Sequence, residues 1–226
     1  MVLKLGGFAF PSPPRADTVK AYADLISKLR SHGHSLVVVT GGGSSARVFM
    51  EAARACGASQ VVCDQIGIHA TRLNARLLRA ALREEAYPGI PESIEDLERA
   101  FSSWKIVTMG GLQPGHSTNA VAAIAAETIG ADMLINITDV LGVHTRDPKK
   151  DDQAKKLDEI SIRGLSQILA EEKFNAGEYK LMDPVALMII ERSRIPTWIV
   201  PGDDPNNVLA VLAEKKIGTR ITFGSG

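Results

Sequence analysis

Lys4 stands just ahead of Gly6-Gly7 at the end of the first apolar run, and two more glycine clusters, Gly41-Gly42-Gly43 and Gly110-Gly111, close later apolar runs. Glycine lets a backbone approach a ligand closely, and a helix that starts beyond it presents free N–H groups that favour anions. A lysine beside such amides puts a point charge where a migrating phosphoryl group accumulates negative charge. Arg47, in the first turn of a helix expected after Gly43, is within reach of the same anion. Each feature has a plain alternative: a tight turn, a snorkelling edge lysine, a solvated arginine. Three glycine loops at three strand ends favour a large polyanionic ligand instead, because open α/β sheets bind ligands beyond the carboxyl ends of their strands.

Two familiar phosphate motifs test this reading. No GxxxxGK[ST] run occurs, so a Walker-type loop is absent. Gly41-x-Gly43-x-x-Ala46 fits the dinucleotide fingerprint in its final-Ala form, with Asp64 at the end of an expected strand 23 residues after Gly41. A nicotinamide-dependent oxidoreductase is therefore a rival. Against it, the fingerprint follows the second strand rather than the first and leaves Lys4 and the Gly110 loop without a role.

The elements that must position these residues follow from periodicity. Short β-branched runs alternate with helical patterns, which predicts an α/β fold, a three-layer α/β/α sandwich around a central, mostly parallel sheet. Strands are expected at Val2–Leu5, Leu36–Val39, Val61–Cys63, Ile106–Met109, Met133–Ile137, Thr197–Val200 and Arg220–Phe223. Helices are expected over 18–29, with Val19, Tyr22, Ile26 and Leu29 on one face, and over 45–55, 94–101 and 206–214. A long helix over 66–83 carries Ile66, Leu73, Leu77 and Ala81 near one face. Ser117 or Thr118 can cap a helix over 119–128, and Asp183 followed by Pro184 is a strong start signal for one over 184–193. The charged run 146–156 reads as a solvated excursion. Near Ile137 the loops turn from glycine-rich to acidic and polar, which divides a single domain, 1–226, into lobes of 1–136 and 137–226.

The chain has 226 residues, 45% hydrophobic, with 26 basic against 26 acidic side chains, enough for one sizeable core without disulfides or a structural metal. Zero formal charge removes the field that nucleic-acid binding needs. The apolar stretches fall short of the roughly 20 residues that cross a bilayer, and no leader pattern precedes Gly6, so a cytoplasmic protein without membrane or nucleic-acid partners is expected. Cys56 and Cys63 have no metal-ligand spacing and are expected as buried thiols.

Five segments taken together resemble the amino-acid-kinase family, and within it the archaeal uridylate-kinase (UMP kinase) branch. They are Leu3-Lys4-Leu5-Gly6-Gly7, Thr40 to Arg47, Asp64-Gln65-Ile66-Gly67-Ile68-His69-Ala70-Thr71-Arg72-Leu73-Asn74-Ala75, Gly110 to Thr118, and Thr138-Asp139-Val140-Leu141-Gly142-Val143. The resemblance covers the chain, and its DxxGIxxTRxNA and GGxxPGxST stretches are the specific part.

The resemblance implies transfer of the ATP γ-phosphoryl group to UMP, a step of pyrimidine nucleotide biosynthesis, with Mg²⁺ accompanying ATP and no metal-ligating side chains of the protein's own. It implies that the first lobe binds the acceptor and the second ATP. Carried over residue by residue, Gly42, Asp64, Leu112, Gln113, Pro114, Gly115, His116, Ser117 and Thr118 would contact UMP, with Asp64 on the ribose hydroxyls. Lys4, Gly6, Gly7, Gly43, Arg47, Thr138, His144 and Asp147 would contact ATP. Lys4, Lys180 and Asp183 would be catalytic, the aspartate orienting the lysines. It also implies a homo-oligomer, a hexamer built from dimers, with the 66–83 helix as the dimer contact. Asn119 stands where the family often has Asp, and His144 where it commonly has an aromatic residue. Other acceptors on this fold (an amino-acid carboxylate, carbamate, isopentenyl phosphate) and a non-catalytic oxoanion- or nucleotide-binding protein are the remaining alternatives.

Overall fold

In the computed structural model, residues 1–146, 153–171 and 181–224 are described, Glu171 by its backbone alone. Seven strands form one sheet: β1 (Val2–Leu5), β2 (Leu36–Thr40), β3 (Ile106–Met109), β4 (Leu134–Thr138), β5 (Glu159–Ser161), β6 (Thr197–Pro201) and β7 (Thr219–Thr222). Their order is β3-β2-β1-β4-β6-β7-β5, with β7 antiparallel to β6 and every other pair parallel. The four strands β1 to β4 are buried along their whole length, as strands of a parallel sheet covered on both faces should be, although Lys4, Thr40, Thr108, Asn136 and Thr138 interrupt their apolar runs.

Strand alternation sends two residue sets to opposite faces. Leu3, Leu5, Val38, Ile106, Ile135, Ile137 and Val200 pack under α1 (Ala16–Ser31), α3 (Gln60–Leu82) and α8 (Asn207–Leu212). Val2, Val37, Val39, Val107, Leu134 and Ile199 pack under α4 (Ile94–Ser103), α5 (Thr118–Thr128), α6 (Ile162–Glu171) and α7 (Pro184–Ser193). Helix α5 packs against β1, β2 and β4 with the small side chains of Ala120, Ala122, Ala123, Ala125 and Ala126 all buried. At its far end Glu127 receives hydrogen bonds from Arg192 and Ser193, which clips α5 to α7.

Three expectations are corrected. Val61–Cys63 is no strand but part of the first turns of α3, whose Ser59 cap accepts a hydrogen bond from Val62 N at 3.4 Å. Three apolar residues suit either element, and here the capped 23-residue helix absorbs them. Asp64 therefore rides on a helix, and the strand that the dinucleotide fingerprint requires before it does not exist. The shared face of Ile66, Leu73 and Leu77 is the outer one: Leu73 is 65% exposed, while Cys63, Ile68, Ala75, Leu78 and Leu82 turn inward. Cys56, just beyond the end of α2 (Gly43–Ala55), is exposed, and only Cys63 is buried.

Elsewhere the boundaries move by a few residues. Helix α7 with its Asp183 cap falls on the expected positions, and α5 takes Ser117 as its cap. Strand β5 and helix α6 have no counterpart in the sequence reading. Of the 146–156 excursion, residues 147–152 lie outside the described residues. No helix among the described residues is long and apolar enough to cross a membrane. The burial difference between the two thiols predicts that a thiol reagent labels one cysteine, Cys56, in the native protein and both after unfolding. Equal rapid labelling of Cys63 would contradict this packing.

Candidate active site

The five mutually parallel strands β3, β2, β1, β4 and β6 have their carboxyl ends at one edge of the sheet, so the loops after them meet there. The chain leaves β1 through Gly6, whose N–H donates to Ile137 O at 3.0 Å, and Gly41 N donates to Leu5 O at 2.8 Å. Backbone lies directly on backbone here: a Cβ on Gly41 would come within 2.7 Å of Gly7 N, and one on Gly7 within 2.9 Å of Gly43 N. Gly43 opens α2 with φ +69°, and a Cβ there would meet Phe10 O at 2.0 Å, so both its conformation and its space require glycine. Gly42 is the N-cap of α2, and Arg47 stands on its exposed side.

Lys4 lies in the middle of this edge. It is 2% exposed and is the one buried charged side chain among the described residues. Its strand neighbours in register are Val39 and Asn136, and the pleat directs all three toward α5 and α7. Burial pulls the lysine down from its ordinary 10.5 to about 8, against the opposing pull of the Asp139 and Asp183 carboxylates.

Two helix N-termini converge on the same place. Ser117 Oγ accepts from Asn119 N and Ala120 N at 3.0 and 3.1 Å and so caps α5. Asp183 Oδ1 accepts from Val185 N and Ala186 N at 3.0 and 3.1 Å and caps α7. The caps are joined, because the Ser117 hydroxyl donates to Asp183 Oδ2. Below them, Asn119 Nδ2 and Asn136 Nδ2 both donate to Leu181 O, at 3.2 and 2.9 Å, fixing the approach to Asp183. Asn136 Oδ1 is buried and has no hydrogen-bond partner among the described residues. The dipoles of α2, α5 and α7, the N-terminus of α2 with no side-chain cap, and the Lys4 charge make this edge a place for a multiply charged anion.

Helix α3 holds the loops that surround it. Thr71 Oγ1 accepts from Gly111 N at 2.7 Å, Asn74 Nδ2 donates to Gly41 O at 2.8 Å, and Thr40 Oγ1 donates to Thr71 O at 2.8 Å. Arg72 Nε donates to Gly111 O at 3.0 Å. Asp64 Oδ2, two helical turns earlier, accepts from Gly115 N at 2.9 Å, and Gly115 takes φ +80°. Within the 112–118 loop the Gln113 amide lies 3.3 Å from His116 Nε2. Leu112, Pro114 and Thr118 are half-buried.

On the other side, Thr138 ends β4, and its hydroxyl accepts from Val140 N at 3.1 Å; its carbonyl accepts from Gly202 N at 2.8 Å. His144 is set past this turn, with Nδ1 3.2 Å from Gly142 O. Lys180 and Asp147 lie outside the described residues. The sequence reading gave no role to Thr71, Arg72, Asn74, Asn136 or Asp139. The available signals were a Thr-Arg-x-Asn run inside a helix and a buried amide in a strand, each costly unless hydrogen-bonded.

A lysine that binds its proton less tightly folded than unfolded carries its full burial cost below about pH 8 and sheds it as pH rises from there toward 10.5. Asp139 is exposed and Asp183 half-buried, so both stay hydrated without it. Lys4→Met is therefore expected to raise stability at pH 7 by on the order of 2 kcal/mol, a gain that shrinks above pH 8. Urea denaturation at pH 7 and 9.5 checks this; a destabilised Lys4→Met at pH 7 would overturn it.

Comparisons with known proteins bear on the same edge. The model of the amino acid kinase family matches residues 1–201. The uridylate kinase of Hyperthermus butylicus is 44% identical over 98% of this chain and 97% of its own. That of Methanothermobacter thermautotrophicus is 44% identical over 98% of each. The crystal structure of uridylate kinase from Archaeoglobus fulgidus superposes with a TM-score of 0.87 at 37% identity, covering 98% of this chain and 99% of that one.

Proposed function

This chain belongs to the amino acid kinase family, and we propose that it transfers the γ-phosphoryl group of ATP to UMP, giving ADP and UDP. The observation that carries the reading is Lys4: a buried ammonium at the carboxyl edge of a parallel sheet, ringed by glycine loops and capped helix N-termini. No general base is needed, since a phosphate monoester already carries about −1.5 to −2 charges at neutral pH. An oxygen of the UMP phosphate forms the new bond to the γ-phosphorus, the bond to the bridging oxygen breaks, and ADP leaves with its electron pair. What the protein supplies is positioning and charge, because two anions must be brought together.

In this reading the lobe of 1–136 takes UMP, through Gly42, Asp64 and the loop of Leu112, Gln113, Pro114, Gly115, His116, Ser117 and Thr118. The lobe of 137–226 takes ATP, through Thr138, His144 and Asp147, with Gly6, Gly7, Gly43 and Arg47 on its phosphates. Asp139 and Asp183 favour the Lys4 charge; arriving phosphates add negative charge and raise its proton affinity further, so the cation is fully formed where the transferred group passes. The family resemblance gives Asp183 the further role of orienting Lys180. Magnesium enters this reading as a companion of ATP. Magnesium keeps much of its water and binds through phosphate oxygens, where it neutralises charge.

The same reading includes a cytoplasmic homo-oligomer, a hexamer built from dimers. Val48 and Phe49 on α2, with Val61, Val62 and Leu73 on α3, are 59%, 63%, 55%, 42% and 65% exposed and give two packed helices an uncovered apolar side. Such a side calls for a partner. Light scattering should find an oligomer that Phe49→Glu with Leu73→Glu reduces in size; a monomeric native protein would refute the assembly.

The catalytic reading is tested by ADP release from Mg-ATP with UMP, CMP, dUMP, N-acetylglutamate or carbamate. The expected result is UMP-dependent turnover that Lys4→Ala lowers by at least about 10²-fold. Tight nucleotide binding without turnover on any acceptor would make the protein a binding module instead.

A further inference from the structure

We infer that Arg72 is a positioning residue for the phosphoryl acceptor, one that sets the direction of two successive amide N–H groups in the 112–118 loop; the inference rests on the reading of that loop as the UMP loop. Its guanidinium donates through Nε to Gly111 O at 3.0 Å and through an Nη to Leu112 O at 3.3 Å. The other Nη donates to Glu92 Oε2 at 2.6 Å. The side chain is 13% exposed, whereas that of Arg76, one turn along the same helix, is 62% exposed and only 3.9 Å from Glu92. Its charge is answered by Glu92, so the guanidinium is committed to the protein's own backbone rather than offered to a phosphate.

The geometry of the peptide unit gives these bonds their consequence. In a trans peptide the C=O and the N–H that follows it point in opposite directions. With the carbonyls of Gly111 and Leu112 drawn toward α3, the N–H groups of Leu112 and Gln113 are turned away from it. Neither makes a hydrogen bond among the described residues. The N–H groups of Gly111 and Gly115 are instead consumed, by Thr71 and Asp64 on α3. Gly111 and Gly115 thus fasten the loop to α3, while the adjacent amides of Leu112 and Gln113 stay open on the outer side. Two adjacent N–H donors with no protein acceptor suit an oxygen-rich ligand, either the phosphate or the base carbonyls of the acceptor nucleotide.

Lysine cannot substitute here, because a single ammonium does not span two carbonyls and a carboxylate as the planar fork does. Arg72→Ala is expected to raise the UMP KM, and the UMP Kd measured calorimetrically without ATP, by about tenfold to a hundredfold. The ATP KM should stay within about twofold and kcat should change less than the UMP KM. Arg72→Lys should not restore UMP affinity, and Glu92→Gln, which leaves the fork in place without its brace, should raise the UMP KM by about two- to fivefold.

A UMP KM within twofold of the native value in Arg72→Ala, equal rises for UMP and ATP, or rescue by lysine would each overturn the inference. If Arg72→Ala does not fold, a folded Glu92→Gln with unchanged UMP affinity overturns it as well. The failures are separable. A native protein that does not turn over UMP sinks the proposed reaction and this inference with it, whereas an active native protein with an indifferent Arg72→Ala sinks the inference alone.

Discussion

Burying one ammonium is the constraint around which this molecule is arranged. Lys4 occupies a core position of β1, an interior strand, where an apolar side chain would cost nothing. The surrounding elements answer that single charge. Asn136 on the neighbouring strand lies beside it, Asp139 and Asp183 approach from the loop after β4 and the start of α7, and α5 and α7 present their N-terminal ends. Asp139 and Asp183 offset the burial of the lysine only in part, so its proton affinity is lowered. A bound polyphosphate completes the balance. Ligand affinity and the strain of holding a charge out of water are thus two sides of one electrostatic debt.

The second organising element is one stretch of α3. Between Asp64 and Asn74 this helix contacts the loops after β2 and β3 through side chains that bond to backbone, not to other side chains. Such an arrangement leaves few rotatable bonds between the helix axis and the loop atoms. A rigid helix with its inner face packed on the sheet therefore transmits its own immobility to glycine-rich segments that would otherwise have the most freedom in the chain.

Much of this was legible in the sequence, for local reasons. Asp183 before Pro184 marks the start of α7 without ambiguity, since cap and first-turn proline agree, and the four-residue face of Val19, Tyr22, Ile26 and Leu29 identifies α1. The meeting of the glycine loops follows from parallel topology, which alternating runs imply. Illegible were features decided by distant contacts. Val61 to Cys63 suits a strand until the length of α3 is known, and the apolar stripe through Leu73 looks like a core face until a different stripe is found facing the sheet. The tie between Ser117 and Asp183 joins residues 66 positions apart. The resemblance to a family supplied the candidate site, and the geometry adds Thr71, Arg72, Asn74, Asn136 and Asp139 to it.

The contact among Gly7, Gly41 and Gly43 is made by main chain against main chain. In an ordinary core, an oversized residue at one position can be accommodated by trimming the side chain it strikes, which is how second-site suppressors arise. Here the atoms struck are the Gly7 and Gly43 nitrogens and the Phe10 carbonyl oxygen, and no substitution anywhere shortens a peptide bond. These three positions are therefore cut off from compensatory change. A lineage that loses one of these glycines can recover only by reversion, however tolerant the rest of the fold becomes.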